Sequence, residues 1–216
     1  MDPLFVTGGT GYIGRALIEA LRERGYMVHA LVRPGSEAKL PSGVLPVIGN
    51  ALDASTFAFA IPPGATLVHL VGTPHPSPTK AAEFRRVDLA SIRATTTAAQ
   101  QAGVQHLVYV SVAHPAPVMR AYIAVREEGE SLVEASGTPA TILRPWYILG
   151  PGHRWPYLLV PLYATLRWLP ATRDSAERLG LVTRRAMVAA LVRAVETPPA
   201  RGVRIVEVPE IRHAVA

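Results

Sequence analysis

Residues Leu4-Phe5-Val6-Thr7-Gly8-Gly9-Thr10-Gly11-Tyr12-Ile13-Gly14-Arg15 run from an apolar strand through glycines three apart into a helix. Few arrangements satisfy that order. Glycine allows positive φ in a tight turn and lets backbone approach a ligand closely. A helix starting near Tyr12 would aim unpaired N–H groups and its positive dipole end at the turn, the physical requirement for holding a pyrophosphate. The run Ile13, Ala16, Leu17, Ala20 and Leu21 supplies the apolar stripe such a helix needs. Gly8, Thr10, Gly11, Tyr12, Ile13, Gly14 and Arg15 are therefore candidate cofactor-binding residues. With the first strand at Leu4, no signal peptide is expected, and the expected location is cytoplasmic.

Apolar strand-like runs then alternate with helical patterns, which predicts a doubly wound α/β fold on a parallel sheet (a Rossmann fold). Strands are expected at Leu4–Val6, Met27–Val32, Val44–Ile48, Leu67–Val71, Leu107–Val112 and from Thr141 to Leu143. Helices are expected to Arg24, from about Lys80 to Ala102, and from about Met119 to Ala135, with Gly25, Gly103 and Gly137 as stops. The tail should close with a helix near Arg185–Glu196 and a strand at Val203–Val208. Residues 1–150 read as the nucleotide-binding domain, and 151–216 as a small substrate-side region packed on it. Such folds bind ligand at the carboxyl ends of their strands.

Composition narrows the chemistry. With no cysteine, thiol nucleophiles, disulfides and zinc–thiolate sites are excluded. The net charge of +6 comes almost wholly from arginine, Lys39 and Lys80 being the lysines, and no basic run is interleaved with aromatics. Nucleic acid is therefore not an expected partner; a small-molecule substrate is. Trp155–Leu169 is apolar but interrupted by proline, and it is shorter than the roughly 20 residues a bilayer span needs. Packing over the cleft or at a subunit contact is its favoured role, with contact to a membrane surface or lipophilic substrate as the alternative. His69, His75, His114 and His153 fall near expected strand ends without metal-ligand spacing, so no metal site is expected; His114 and His153 remain candidate cleft residues.

The second strand ends Leu31-Val32-Arg33-Pro34 with no carboxylate before Glu37. An acid there would accept from a ribose 2′-hydroxyl; an arginine offers a fork of donors to a 2′-phosphate. Arg33, with Arg15 as a second clamp, points to NADP(H) rather than NAD(H).

The G-x-x-G-x-x-G spacing behind Thr7-Gly8 resembles that of the extended and atypical short-chain dehydrogenase/reductase superfamily. Several later segments carry the same resemblance. Gly49-Asn50-Ala51-Leu52-Asp53 is similar to the segment that lines adenine, which implicates Asn50, Ala51 and Leu52. Val71-Gly72-Thr73-Pro74 falls where the family has its loop beside ribose and pyrophosphate, implicating Val71, Gly72 and Thr73. Tyr122-Ile123-Ala124-Val125-Arg126 stands where the family carries Tyr-x-x-x-Lys, with both side chains on one helix face.

The resemblance gives Tyr122 the role of proton exchange with the substrate oxygen and Arg126 that of its electrostatic partner and ribose ligand. Tyr122 also belongs to an apolar helical stripe and could equally be a packing residue. Arginine supplies positive charge but releases no proton at useful pH. Ser111 is the hydroxyl nearest the family's Ser/Thr position, one or two residues early, with Val112 or Ala113 where that residue belongs. Thr141-Ile142-Leu143-Arg144-Pro145-Trp146-Tyr147-Ile148-Leu149-Gly150-Pro151-Gly152 resembles the segment after strand six in NmrA-like and epimerase-like members, placing Pro145, Trp146 and Tyr147 beside nicotinamide. The resemblance implies an NADP(H)-dependent oxidoreductase acting on a small carbonyl. A non-catalytic NADP(H) sensor or assembly factor is the alternative, and a nucleotide-sugar epimerase or dehydratase a further one.

Overall fold

A computed structural model describes residues 2–150 and 178–214. Seven strands form one parallel sheet: β1 Leu4–Thr7, β2 Val28–Val32, β3 Leu45–Ile48, β4 Thr66–His69, β5 His106–Val110, β6 Ala140–Arg144 and β9 Val203–Glu207. Their order is β3-β2-β1-β4-β5-β6-β9, so the direction of winding reverses between β1 and β4. The ends of those two strands form the crevice in which doubly wound folds receive ligands. A separate two-stranded pairing joins β7 (Ile148–Leu149) to β8 (Val182–Thr183).

The pleat divides the core. Leu4 and Val6 point to one face, where α1 (Tyr12–Glu23) and α5 (Arg184–Glu196) pack through Leu17, Leu21, Met187 and Leu191. Phe5, Leu67 and Tyr109 point to the other, under Phe84, Ile92, Val125 and Val133. There lie α2 (Ala81–Glu83), a π-helical segment Phe84–Leu89, α3 (Ala90–Ala102) and α4 (Arg120–Ala135). β1, β2, β4 and β5 are buried almost throughout, as strands covered on both faces must be.

Element order agrees with expectation, with informative differences at the ends. β4 stops at His69, and β5 at Val110, two residues short of the apolar run in each case. Those extra residues, Leu70-Val71 and Ser111-Val112, lead into loops at the crevice, with the Leu70 and Ser111 amides still donating to the Thr7 and Leu143 carbonyls. The expected helix over 80–102 contains the π segment, and α4 begins one residue late because Met119 takes a left-handed φ of 61° as its N-cap. A final helix, α6 (Val208–His213), lies where strand was expected to end; a capping box between Glu207 and Glu210 starts it. Trp155–Leu169 and His153 lie outside the described residues. No helix among the described residues is long and apolar enough to cross a membrane.

Candidate nucleotide cradle and adjoining apolar cavity

The glycine loop is shaped by what it excludes. Gly8 takes φ +76°, and a Cβ there would come 2.7 Å from the Leu70 carbonyl carbon. A Cβ on Gly14 would collide with the Gly8 carbonyl oxygen and lie 2.8 Å from Gly9 Cα. Only glycine lets α1 start this close to the turn. Gly11 is the N-cap of α1 and offers no side-chain cap, so the first-turn N–H groups are not satisfied by a capping side chain. This end opens on a cavity of about 530 Å³ lined by the loop, by Leu70 and the 72–76 segment, and by Trp146, Tyr147 and Ile148. Bare amides, steric room and a helix dipole together fit a dinucleotide pyrophosphate.

Gly8, Gly11, Tyr12, Ile13, Gly14, Gly72, Thr73, Trp146 and Tyr147 line this cavity. Thr10 lies within the same turn, half-buried, and Val71 within the opposing loop; neither lines the cavity. Tyr12 is fixed from above, with the Arg184 guanidinium 5.1 Å from its ring centroid and Gly150 against its hydroxyl.

Arg15 is exposed on α1. Arg33 is exposed immediately beyond β2, beside the β3 exit, where the Gly49 amide donates to the Val32 carbonyl. Asn50 closes a local turn there, its Oδ1 accepting from the Leu52 amide. Ala51 and Leu52 complete that turn.

A second cavity, of about 140 Å³, adjoins the first and shares Pro76, Trp146, Tyr147 and Ile148 with it. Val110, Val112, Met119 and Pro145 continue its wall, and the hydroxyl-bearing Ser111 and Tyr122 line it as well. Tyr122 is half-buried, its ring 4.9 Å from that of Phe84. Ser111 is 3% exposed, and its Oγ has no well-directed hydrogen-bond partner.

Arg126 lines neither cavity. Its Cζ lies 5.1 Å from the Tyr122 ring centroid and 5.9 Å from that of Tyr109, while Nη2 donates to Asp88 Oδ1 at 2.6 Å and Nη1 to the Val110 carbonyl at 3.0 Å. The other Asp88 oxygen accepts from the Thr73 amide (3.0 Å) and hydroxyl (2.6 Å). Burial opposes the Arg126 charge, but Tyr122, Tyr109 and Asp88 outweigh it and hold the guanidinium proton more tightly than usual. Gly72 is needed beside this pair: a Cβ would lie 2.5 Å from Arg126 Nη2. Thus Arg126 ties α4 to the cradle loop through Asp88.

Asp88 escaped sequence reasoning, yet it had a signal. Phe84, Asp88, Ser91, Ile92 and Thr95 share one buried stripe, and a carboxylate on such a stripe demands a partner. The same signal exists on α4, where Glu130 follows Ile123 and Arg126 on the buried face. Burial alone would raise the Glu130 carboxyl. Hydrogen bonding from Arg144 and a looser approach of Ser111, with the Arg144 and His114 charges, hold it below the usual range. Arg144 grips Glu130 through Nε (3.0 Å) and Nη2 (2.5 Å) and Glu207 through Nη1 (3.0 Å). His114 sits between Glu127 (Nδ1, 3.1 Å) and Glu130 (Nε2, 3.4 Å).

His69 is fully buried beneath the site, its Nδ1 2.9 Å from both Thr7 and Thr95 hydroxyls and Nε2 3.4 Å from Ser91 Oγ. Ser91 donates to the Asp88 carbonyl, so its Oγ is free to receive the Nε2 proton of the neutral Nε2–H tautomer, whose Nδ1 lone pair is shared by the Thr7 and Thr95 hydroxyls. Burial, aided by Arg126, pushes His69 down to about 3. It is a structural histidine. Among the described residues no cluster of three His, Asp or Glu side chains could hold a metal ion.

A parallel doubly wound sheet with a glycine cradle at its winding reversal defines a dinucleotide-binding α/β protein. The family model for NAD(P)H-binding proteins matches residues 8–159, and the chain belongs to that family. Its fold is that of a short-chain dehydrogenase/reductase superfamily protein from Agrobacterium tumefaciens crystallised with NAD (TM-score 0.70, 21% identity, 95% of this chain and 77% of that one). A UDP-galactose 4-epimerase superimposes equally well (TM-score 0.70, 20% identity, with the same coverages).

Among sequence relatives are a 4-hydroxy-2-methyl-3-oxo-4-farnesyl-3,4-dihydroquinoline-1-oxide ketoreductase of Stigmatella aurantiaca (32% identity, 68% of this chain, 50% of the relative) and a ceramide reductase of Caulobacter vibrioides (29%, 89% and 61%). The chain thus spans between half and two thirds of those relatives' lengths.

Proposed function

We propose that this chain is an NADP(H)-dependent reductase of a carbonyl substrate. The observation that carries the reading is the adjoining cavity, where Tyr122 and Ser111 line a space that shares its wall with the nucleotide cradle. The names of the two reductase relatives support it. Residues 1–150 would hold the nucleotide and 151–216 the substrate side, in a cytoplasmic protein.

When bound, the nicotinamide supplies a hydride to the carbonyl carbon. The chain's own residues do the rest. Gly8 to Gly14 would hold the pyrophosphate, Arg33 and Arg15 would supply donors to the 2′-phosphate, and Asn50, Ala51, Leu52, Val71, Gly72 and Thr73 would flank the adenosine and ribose side. Pro145, Trp146 and Tyr147 orient the ring and exclude water, so that positioning supplies much of the rate. As the C=O electron pair moves to oxygen, the Tyr122 hydroxyl passes its proton to that oxygen and later regains one from water. Ser111 hydrogen-bonds the same oxygen. Arg126 acts on Tyr122 as a fixed positive charge beside its ring rather than as a proton carrier.

A binding protein without turnover is the second reading, favoured by the engagement of Arg126 with Asp88 away from both cavities. Tyr122→Phe separates the two. If the chain is a reductase, this variant loses at least about a hundredfold of its ketone-dependent NADPH oxidation, with NADPH affinity unchanged. Full activity in the variant removes Tyr122 from the reaction, and no NADPH oxidation by wild type with any of a broad ketone and quinone panel favours the binding protein.

A further inference from the structure

We propose that the Ser111–Tyr122 cavity is a subsite for an uncharged, apolar carbonyl compound and discriminates against anionic substrates, including nucleotide sugars. The proposal rests on the reductase reading above and names its substrate class. Three observations carry it.

The wall is apolar: Val112, Met119, Trp146 and Ile148 supply it, and among the described residues no charged side chain lines the cavity. Three basic residues close to the cavity wall are, moreover, engaged with carboxylates, while Arg120, beside Met119, is exposed to solvent. Arg126, one helical turn beyond Tyr122, is held by Asp88; Arg144, next to Pro145, is held by Glu130 and Glu207; His114 lies between Glu127 and Glu130. An anionic group entering the cavity would lose its hydration and find the Arg126 and Arg144 guanidiniums already paired, an unfavourable exchange. Glu130, behind Ser111 and held ionised, repels it further.

The third observation is Ser111 itself. Ser111 is 3% exposed on the wall of an apolar cavity, and its hydroxyl leans on the Glu130 carboxylate without a well-directed hydrogen bond. A carbonyl oxygen in the cavity would compete with that carboxylate for the Ser111 proton. Charge sequestration thus sets this cavity apart from a phosphate- or carboxylate-binding site, where arginine forks stand open to the ligand.

Methyl benzoylformate and benzoylformate carry the same ketone and differ by one charge, so they test the proposal directly. Calorimetric titration of each into the full chain saturated with NADP+, where no turnover occurs, should show the ester binding at least about tenfold more tightly. Ser111→Ala should weaken the ester by about five- to tenfold with the melting temperature unchanged. Met119→Lys, at the half-buried rim, should narrow or reverse the preference. Equal affinities, a preference for the acid, or no binding of either the ester or 1,4-naphthoquinone would overturn the proposal. Tight ester binding without NADPH oxidation would instead overturn the reductase reading and leave the apolar subsite standing.

Discussion

The two halves of the crevice solve opposite problems. At the cradle the chain must leave polar groups unmet, and it does so with glycines, a helix end without a side-chain cap and empty volume. On the Tyr122 side the chain pairs Arg126 and Arg144 with carboxylates within a few ångströms. The proposed pyrophosphate site and the proposed subsite for an apolar ketone would therefore share the wall of Trp146 and Tyr147. Space is the device on one side, neutralisation on the other.

The sharpest way to break this contrast is to fill the space. Gly14→Val puts branched carbons where even a Cβ meets the Gly8 carbonyl, and NADPH affinity measured by fluorescence titration should fall at least about a hundredfold. Undoing the neutralisation comes next. Asp88→Ala leaves the buried Arg126 guanidinium unpaired, and denaturant unfolding should show a loss of about 3–5 kcal/mol. Asp88→Asn, which keeps an acceptor for Thr73 and Arg126, should lose less. Equal costs would mean that charge is not what the pair supplies.

Acid should destabilise the fold through two buried histidines, His69 beneath the site and His106 at the opposite end of the sheet. His69 is lowered to about 3 and His106, mainly by burial and then by Arg204, to about 4. The unfolded chain therefore binds protons near pH 6.5 that the folded chain refuses. Their contribution is complete above that pH and is lost as pH falls towards the folded values, at about 1.4 kcal/mol per pH unit for each group. Chemical denaturation from pH 7 to 4 should show this slope, and His69→Asn should reduce it. The smallest effect concerns specificity: Arg33→Ala should raise the NADPH dissociation constant about tenfold and leave that for NADH unchanged. An equal loss for both would assign Arg33 to the adenine alone.

The contrast also governs what could be read from sequence. The cradle was legible because its demands fall on the backbone within one stretch of chain: strand, glycines at fixed spacing, apolar stripe. β1, α1 and the buried β5 follow from local pattern for the same reason. Tyr122 and Arg126 could be placed on one face of α4, but the direction Arg126 takes depends on Asp88, 38 residues earlier. That partner sits in a π-helical stretch that apolar periodicity does not reveal. The early ends of β4 and β5 were equally hidden, since apolar residues serve a buried strand and a cavity wall alike. By contrast, α6 announced itself through Glu207, Pro209 and Glu210, a capping signature that apolar periodicity had overshadowed.

The most direct measurement is a crystal structure of the protein with NADPH bound. The expected structure has the pyrophosphate on the amides following Gly11, the nicotinamide C4 facing the cavity of Ser111 and Tyr122, and Arg126 still paired with Asp88. A nicotinamide turned away from that cavity, or an Arg126 that has left Asp88 for the ribose, would contradict it.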